Sequence, residues 1–345
     1  MSQPLPTPKE LCFNPATLDL CRDIAEMAAT INNSRPLPEH VLAEVQKRLL
    51  EDRVYNSNAI EGNTLSLRET QLILETGSIM DVGRGKEATE VLNLGNAIRE
   101  IQSFVDDRTR WSDHQTFLSV HRILMETIGD SFAGMVRTDS IIIRGAKHQP
   151  PEPEVLPVML QWLWKTLRES ESCEPIQLAT WTHWAIARIH PFLDGNGRMA
   201  RLWQDLILFG KRYSAAIIRA AHRREYYDAL TATDGGHFDR LAQLIGQSVA
   251  NSLQIYLDAC RESDELKGWA LQIVGEAHTA VDERRRAEYM RWSRGMLQVQ
   301  DAFFRCATQI TSVSDGAIEV QCRPFDIIEQ PTWESLRSGV RASNA

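Results

Sequence analysis

A twelve-residue segment from His190 to Arg201 contains the side chains that phosphate chemistry requires, in the order His-Pro-Phe-Leu-Asp-Gly-Asn-Gly-Arg-Met-Ala-Arg. The ordinary pKa of a histidine lies near neutrality, so His190 can remove a proton from a hydroxyl group. Asp194 offers hard oxygen ligands that suit a Mg²⁺ ion carried by a nucleotide. Arg198 and Arg201 can each hold a phosphate group with two N–H donors. These residue types predict a site for chemistry on a polyphosphate.

The turn Gly195-Asn196-Gly197 separates two helices that the apolar spacing predicts. The first helix runs to His190, and Pro191 ends it because proline has no N–H to donate. The second begins near Gly197, so its unpaired N–H groups and the positive end of its dipole face the turn. Glycine has no side chain and lets a phosphate oxygen approach the backbone closely. The turn is therefore predicted to bind an anion.

The segment from His190 to Arg201 resembles the signature of the Fic (filamentation induced by cyclic AMP) family, His-x-Phe-x-(Asp/Glu)-Gly-Asn-Gly-Arg-x-x-Arg, with every fixed position filled. The resemblance implies a protein adenylyltransferase, or AMPylator, in which His190 deprotonates a Ser, Thr or Tyr hydroxyl of a target protein. That oxygen then attacks the α-phosphorus of ATP, and Asp194 is the implied Mg²⁺ ligand. The residues implied to bind the ATP phosphates are Gly195, Asn196, Gly197, Arg198 and Arg201.

A second string, Ser57-Asn-Ala-Ile-Glu61-Gly62, resembles the (Ser/Thr)-x-x-x-Glu-(Gly/Asn) motif of Fic proteins that regulate themselves. In that family the glutamate pairs with the last arginine of the signature, here Arg201, and occupies the place of the ATP γ-phosphate. The resemblance thus implies that Ser57, Glu61 and Gly62 form an inhibitory segment at the end of a helix that begins near Pro38. From the residues alone, the alternative is an ordinary helix end with Glu61 exposed and Gly62 as its C-terminal cap.

Residues 134–151 interrupt the helical pattern with three consecutive isoleucines, Ile141, Ile142 and Ile143, followed by Arg-Gly and then Pro-Pro. Such a run predicts a strand and a turn. Fic proteins carry a β-hairpin called the flap at this place in the chain, and the flap aligns the target by pairing with its backbone. The resemblance therefore implies that the three isoleucines dock the target protein.

The fold is predicted to be mainly α: a Fic helical bundle with a small β-hairpin flap. Capping boxes that start at Ser66 and at Ser112 predict two further helix starts. A helix over 266–306 and a candidate strand over 318–328 are predicted near the C-terminus. The expected segments are an arm (1–37), an N-terminal helical module with the inhibitory motif (38–110), the Fic core (111–255) and a C-terminal extension of unknown role (256–345).

Composition narrows the class of protein further. The net charge of -8 argues against a nucleic-acid binder. The six cysteines form no C-x-x-C pair, which suggests reduced thiols in the cytoplasm. Neither a secretory signal nor an apolar run of membrane length is evident. The expected partner is a target protein with a hydroxyl side chain, without nucleic acid or membrane. Family members of this class often form dimers, so a homodimer is also expected.

Three alternatives to AMP transfer remain open from the sequence. Some Fic proteins use the inhibitory glutamate to position a hydrolytic water, so Glu61 could serve the removal of AMP, alone or beside transfer. A few relatives transfer UMP, phosphocholine or phosphate, but those that phosphorylate replace the second glycine of the turn, and this chain retains Gly197. A permanently closed Fic domain would instead be a non-catalytic ATP-binding or scaffold module.

Overall fold

The computed structural model describes residues 5–77, 84–143, 148–315 and 317–339, and within them the regular structure is helical with no β-strand. The prediction of a mainly α fold is confirmed. The helices are α1 (Pro15–Asn33), α2 (Glu39–Ile60), α3 (Leu67–Thr76), α4 (Gly85–Ser103), α5 (His114–Met125), α6 (Leu156–Glu169), α7 (Pro175–Ile189), α8 (Asn196–Gly210), α9 (Arg223–Thr233), α10 (Asp239–Val313) and α11 (Gln330–Arg337). Short 3₁₀ helices lie at Pro8–Glu10, Arg108–Ser112, Pro153–Val155 and Ala220–His222.

The chain divides into two compact units, Met1–Glu262 and Ser263–Ala345. The first unit contains a hydrophobic core built around α4 to α8, and its largest fully buried side chains include Trp181, Trp203 and Phe117. In the second unit, the rings of Tyr289 and Trp333 pack with centroids 5.8 Å apart. The four-segment division of the sequence stays a prediction. In the described ranges, no helix is both long and apolar enough to span a bilayer.

Local capping signals set the helix starts near the site. The capping box predicted for α3 is confirmed: Ser66 N–H donates to Glu69 Oε2 at 2.8 Å, and Glu69 N–H donates to Ser66 Oγ at 3.3 Å. The cap predicted at Ser112 is wrong, because that residue lies in a 3₁₀ helix. Asp113 caps α5 instead, and its Oδ2 accepts the Thr116 N–H at 2.7 Å. Aspartate caps a helix as well as serine does.

The β-hairpin predicted over 134–151 is not formed in the described part of that segment. Residues 134–143 and 148–151 are irregular, and the predicted turn at 144–147 lies outside the described residues. Ile142 is 87% exposed. An isolated two-stranded hairpin is marginally stable without a third strand or a packing partner, which explains the difference. The candidate strand over 318–328 is likewise irregular.

Arg137 organises the segment that replaces the hairpin. Its guanidinium is buried and donates to three backbone carbonyls, those of Asp139 at 2.9 Å, Pro151 at 2.5 Å and His190 at 2.9 Å. The two ends of the segment are thereby joined to the end of α7. Residues 141–143 are therefore held near the candidate site without any strand pairing in the described residues.

Candidate active site

His190 occupies the position immediately after α7, with a left-handed backbone conformation at φ +50°. Its Nδ1 lies 3.1 Å from the carbonyl oxygen of Ala187. A carbonyl only accepts, so Nδ1 carries the hydrogen and Nε2 keeps its lone pair. Burial lowers the pKa of His190 below its usual value of 6.5, and the imidazole is consequently neutral at pH 7. This geometry leaves Nε2 able to accept a proton.

The side chain of Asn196 closes the loop between α7 and α8. Its Oδ1 accepts the Phe192 N–H at 2.9 Å, and its Nδ2 donates to the Phe192 carbonyl at 2.8 Å. Both residues are buried. The amide of Asn196 is therefore occupied in shaping the loop, and only its backbone N–H remains for the phosphate-binding role that the sequence implies.

The N-terminus of α8 provides unpaired N–H groups at the turn. The Met199 N–H donates to the Gly195 carbonyl at 2.9 Å, so the N–H groups of Asn196, Gly197 and Arg198 precede this first helical bond. Gly195 has a φ of +80°, a conformation that favours glycine. These N–H groups precede the first helical hydrogen bond of α8, and anion binding there stays a prediction.

Arg198 is a buried cation whose hydrogen bonds are incomplete. The residue is only 3% exposed, and its Nε has no hydrogen-bond partner in the described part of the chain. Its Nη2 lies 3.6 Å from Asp194 Oδ1, which is longer than a normal hydrogen bond. Burying a charge without full pairing is costly. Arg198 Nη2 also donates to the Met125 sulfur at 3.9 Å, so the guanidinium is held in place although its hydrogen bonding is incomplete.

Asp194 presents a carboxylate that is 54% exposed, and its Oδ1 accepts the Gly195 N–H at 2.6 Å. Among the described residues, no group of three or more His, Cys, Asp or Glu side chains could hold a metal ion alone. One carboxylate fits a Mg²⁺ ion whose other ligands are substrate phosphates and water, which is the usual arrangement for this metal.

Glu61 and Arg201 form an ion pair at the same turn. Arg201 Nη2 lies 2.7 Å from Glu61 Oε1, and Arg201 also donates to the Ser57 hydroxyl at 2.8 Å and to the Ser57 carbonyl at 3.0 Å. A Cβ placed on Gly197 would be 2.3 Å from Glu61 Oε1. The carboxylate therefore lies directly against the glycine backbone of the turn. Gly62 follows Glu61 with a φ of +102°, and a Cβ placed on Gly62 would have no other atom within 4 Å.

Helix α2 is anchored against the core two turns before Glu61. Arg53 Nη2 and Asp205 Oδ2 are 2.7 Å apart, and each side chain is 6% exposed. Asn56 Oδ1 accepts the Ala220 N–H at 2.9 Å. Val54 is fully buried on the same helix. These contacts fix the end of α2 that carries Ser57 and Glu61, while the Glu61 side chain stays 33% exposed.

A buried polar chain ends at the second terminal nitrogen of Arg201, Nη1. His183 Nδ1 donates to Gln204 Oε1 at 2.8 Å, so His183 Nε2 accepts the Tyr226 hydroxyl at 2.9 Å. The Tyr226 oxygen lies 3.5 Å from Arg201 Nη1. Burial lowers the pKa of His183 to about 3, so this histidine is neutral. In the sequence, His183 precedes His190 by seven residues, or about two helical turns, and this spacing indicates that the two lie on the same helix face.

A cavity of about 350 Å³ opens beside His190, Gly197 and Glu61. Its volume lies within the usual range for small-molecule sites. Further lining residues are Ile143, Trp184, Tyr227, Leu230, Thr231 and Asp234. Apolar and polar side chains thus surround a space that also reaches the N-terminus of α8 at Gly197.

Comparison with known proteins identifies the domain that contains this site. A sequence model described as the Fic/DOC family matches residues 111–208, which include the whole signature. The chain carries a Fic domain. The signature residues His190, Asp194, Arg198 and Arg201 lie within the matched range, whereas Glu61 lies outside it.

Several curated proteins are similar to this chain over a longer stretch than the range 111–208. "Protein adenylyltransferase Fic" of Aedes aegypti is 30% identical over 223 residues, 64% of this chain and 44% of that protein. The protein of the same description from Nematostella vectensis is 30% identical over 206 residues, 59% and 48% of the two chains. This chain thus matches less than half the length of these curated relatives.

Solved structures share the fold. A Fic-1 structure (aa134–508) from C. elegans has a TM-score of 0.65 and 25% identity, covering 72% of this chain and 74% of that one. A Fic family protein from Desulfovibrio desulfuricans G20 has a TM-score of 0.57 and 26% identity, covering 74% and 76%. The Fic fold therefore includes elements outside the matched range 111–208.

Proposed function

We propose that this protein transfers AMP from ATP to a hydroxyl side chain of a target protein. The observation that carries the proposal is that His190 and the glycine turn at Gly197 line one cavity, so a base and an anion site face the same space. The incomplete pairing of Arg198 supports a polyphosphate ligand. The name "Protein adenylyltransferase Fic" carried by the relatives supports AMP as the transferred group.

In the proposed reaction, His190 Nε2 takes the proton from the target hydroxyl as the oxygen attacks the α-phosphorus of ATP. The bond from the α-phosphorus to the bridging oxygen breaks, and pyrophosphate leaves with the electron pair. The backbone N–H groups of the turn and the Arg198 guanidinium stabilise the charge that develops on the phosphates. Asp194 would hold Mg²⁺, which neutralises phosphate charge when it is bound.

Residues 141–143 support docking of the target. They are irregular, Ile142 is exposed, and Ile143 lines the cavity beside His190. We propose that the backbone of the target adds to this segment as a neighbouring strand and so presents its hydroxyl to His190. The target would then provide the strand partner that the predicted hairpin lacks.

The Glu61–Arg201 pair supports inhibition by the protein's own helix. The carboxylate takes an Arg201 donor and lies against Gly197, where a terminal phosphate would otherwise find both a cation and a backbone surface. ATP that binds would then lack the contact between its γ-phosphate and Arg201, and it would be held in a position that does not lead to transfer. This proposal makes transfer by the unmodified protein slow.

We also propose a cellular compartment and an assembly state for this protein. All six cysteines are free, which supports a reducing compartment such as the cytoplasm. A homodimer is expected, and the molar mass measured by light scattering tests it. The net charge of -8 supports a protein target over a nucleic acid.

Labelled ATP distinguishes the candidate reactions. The protein is incubated with a model target and either α-³²P-ATP or γ-³²P-ATP. Label from the α position alone supports AMP transfer, and label from the γ position alone indicates a kinase. Absence of label from both, also for a variant without Glu61, supports a non-catalytic ATP-binding module.

Removal of AMP from a modified target is a second candidate function. Glu61 and His190 line the same cavity, and the Glu61 side chain is one-third exposed. A carboxylate in that place could orient a water molecule toward a bound phosphoryl group. Release of AMP from a pre-modified target measures this activity.

Arg198→Met is expected to weaken ATP binding by about 10- to 100-fold, since a hydrogen bond to a charged group contributes about 1.5–3 kcal/mol. AMP lacks the outer phosphates and should bind with nearly unchanged affinity. Calorimetry with both nucleotides in a Glu61→Gly background measures the difference. Arg224→Met, at a side chain that is 95% exposed, is the matched control. Equal weakening of AMP and ATP would show that Arg198 does not contact the outer phosphates.

The acid limb of the pH profile should have its midpoint below pH 6.5, because burial lowers the pKa of His190 from that value. The base must be neutral to accept a proton, so transfer falls as the pH drops through the pKa of His190. Measurement of kcat/KM from about pH 5 to pH 8 tests this. A midpoint at or above 6.5 would contradict a half-buried, neutral base.

A further inference from the structure

His121 contacts the loop that carries Asp194, and both nitrogens of its ring form hydrogen bonds. This residue of α5 is fully buried. The Gly134 N–H donates to His121 Nδ1 at 2.9 Å, so Nδ1 is unprotonated. His121 Nε2 therefore carries the hydrogen and donates it to the backbone carbonyl of Asp194 at 3.0 Å. The two contacts select one tautomer of the ring.

The same ring also supports the loop by stacking. The His121 and Phe192 rings lie 3.6 Å apart between centroids and are inclined by only 2°. The backbone N–H and carbonyl of Phe192 each form a hydrogen bond with the Asn196 side chain. A Cβ on Gly195 would lie 3.3 Å from His121 Nε2, so the loop approaches the ring closely. One side chain thus touches the loop before and after Asp194.

The hydrogen bond to the Asp194 carbonyl fixes how that residue is turned. With the carbonyl directed inward to His121, the carboxylate is the part of Asp194 that remains 54% exposed. The Gly195 N–H belongs to the same peptide group as this carbonyl and donates to Asp194 Oδ1 at 2.6 Å, so rotation of the peptide group would break that hydrogen bond to the carboxylate. Partners of this kind set the orientation of metal ligands in proteins and often matter nearly as much as the ligands.

We propose that His121 is a positioning residue for Asp194: its Nε2–H holds the loop carbonyl and so aims the carboxylate at the Mg²⁺ that accompanies ATP. The inference rests on the proposed function, since it takes Asp194 as the ligand of a nucleotide-borne metal. His121 itself touches neither metal nor nucleotide. Its effect must therefore pass through Asp194.

Two amide substitutions separate the roles of the two ring nitrogens. His121→Gln places an N–H donor near the position of Nε2 and retains the bond to the Asp194 carbonyl. His121→Asn places an acceptor near the position of Nδ1, retaining the Gly134 contact while losing the donor to Asp194. His121→Asn is one methylene shorter than His121→Gln and leaves the larger gap in the core. Thermal unfolding of both checks that each is folded.

The measured quantity is the Mg²⁺ concentration that gives half of the metal-dependent gain in ATP binding, obtained by calorimetry in a Glu61→Gly background. His121→Asn is expected to raise this concentration by about 10- to 100-fold, and His121→Gln to leave it close to that of the parent. ATP binding in EDTA should be similar in all three proteins. A general loosening of the fold would instead weaken binding in EDTA as well.

A double-substitution test establishes whether His121 acts through Asp194. In an Asp194→Ala background, His121→Asn should cause no further change in the dependence of ATP binding on Mg²⁺. An unchanged Mg²⁺ requirement in His121→Asn, or the same loss with and without Asp194, would overturn the proposal. If His121→Asn does not unfold cooperatively, His121→Gln decides: a raised Mg²⁺ requirement in that folded variant overturns the role of the Nε2–H donor, and a parental requirement supports it.

The binding readout keeps the two proposals separate. If the Mg²⁺ requirement responds to His121 as described but no AMP reaches any target, the proposed transfer fails and the positioning role stands. If AMP is transferred but the His121 substitutions do not change the Mg²⁺ requirement, only the positioning role of His121 is overturned. If ATP does not bind the Glu61→Gly protein at all, both proposals are overturned.

Discussion

His190→Ala is expected to reduce AMP transfer by about 10²- to 10⁴-fold, the usual contribution of a general base. The imidazole lies at the end of α7, its Nδ1 donates to the Ala187 carbonyl, and only Nε2 is left to take a proton. The substitution removes proton transfer but none of the N–H groups at the turn. Transfer from α-³²P-ATP to a model target, measured in a Glu61→Gly background, gives the size of the loss, and calorimetry should show ATP affinity close to that of the parent.

His148 provides the discriminating comparison for this result. It lines the same cavity, and its Nε2 donates to the Arg188 carbonyl at 2.9 Å. His148→Ala is expected to reduce transfer far less than His190→Ala. A folded His190→Ala protein that retains transfer near the parental rate would rule out His190 as the base, and a complete loss in His148→Ala alone would assign that role to His148.

The helix ends around the site are predictable from adjacent residues. Pro191 follows α7 at its predicted end, and the turn before α8 contains the glycine whose φ of +80° needs no side chain. The capping box at Ser66 has the predicted reciprocal hydrogen bonds. These signals act over three or four positions, so the sequence contains all of the information that they require.

Contacts between distant segments are not predictable in this way. Glu61 and Arg201 are 140 positions apart, and only the family resemblance brings them together in a sequence-based prediction. The part played by His121 depends on two backbone groups, at Gly134 and Asp194, that belong to separate loops. The spacing of residues along one helix does not indicate which backbone donors and acceptors of other loops the helix will contact.

Two of the predictions that the structure contradicts, the hairpin and the cap at Ser112, share a physical cause. A run of isoleucines favours a strand, but a strand needs a partner, and the described residues of this segment are held by Arg137 and not by a ladder of hydrogen bonds. Ser112 was predicted to cap α5, yet the neighbouring Asp113 is an equally good acceptor and takes that place. In both cases, the local preference is real and a competing contact decides the outcome.

Glu61→Gly is expected to raise transfer by about 10- to 100-fold over the unmodified protein. The carboxylate accepts from Arg201 at 2.7 Å and lies against Gly197, so its removal frees both the cation and the backbone surface for the γ-phosphate. A charge-assisted contact of about 1.5–3 kcal/mol shifts the active population by this factor. The rate of AMP incorporation from α-³²P-ATP into a model target measures the gain.

Three comparison variants separate charge, space and the role of the arginine. Glu61→Gln keeps the size of the side chain without its charge and should activate less than Glu61→Gly, because the amide still fills the space beside Gly197. Ser57→Ala leaves the carboxylate in place, so we expect little activation although Arg201 loses a contact. Arg201→Ala should not activate, because it removes the γ-phosphate ligand together with the inhibitory partner.

The direction of the Glu61→Gly result also separates inhibition from catalysis by this residue. Unchanged transfer would show that the carboxylate does not restrain ATP, whatever its contact with Arg201. Loss of AMP release from a pre-modified target would instead show that Glu61 takes part in hydrolysis, and removal of AMP would become the favoured function. Because Arg53 and Asp205 anchor α2 independently of the helix end, neither result can be ascribed to release of the whole helix, provided that the variant melts like the parent.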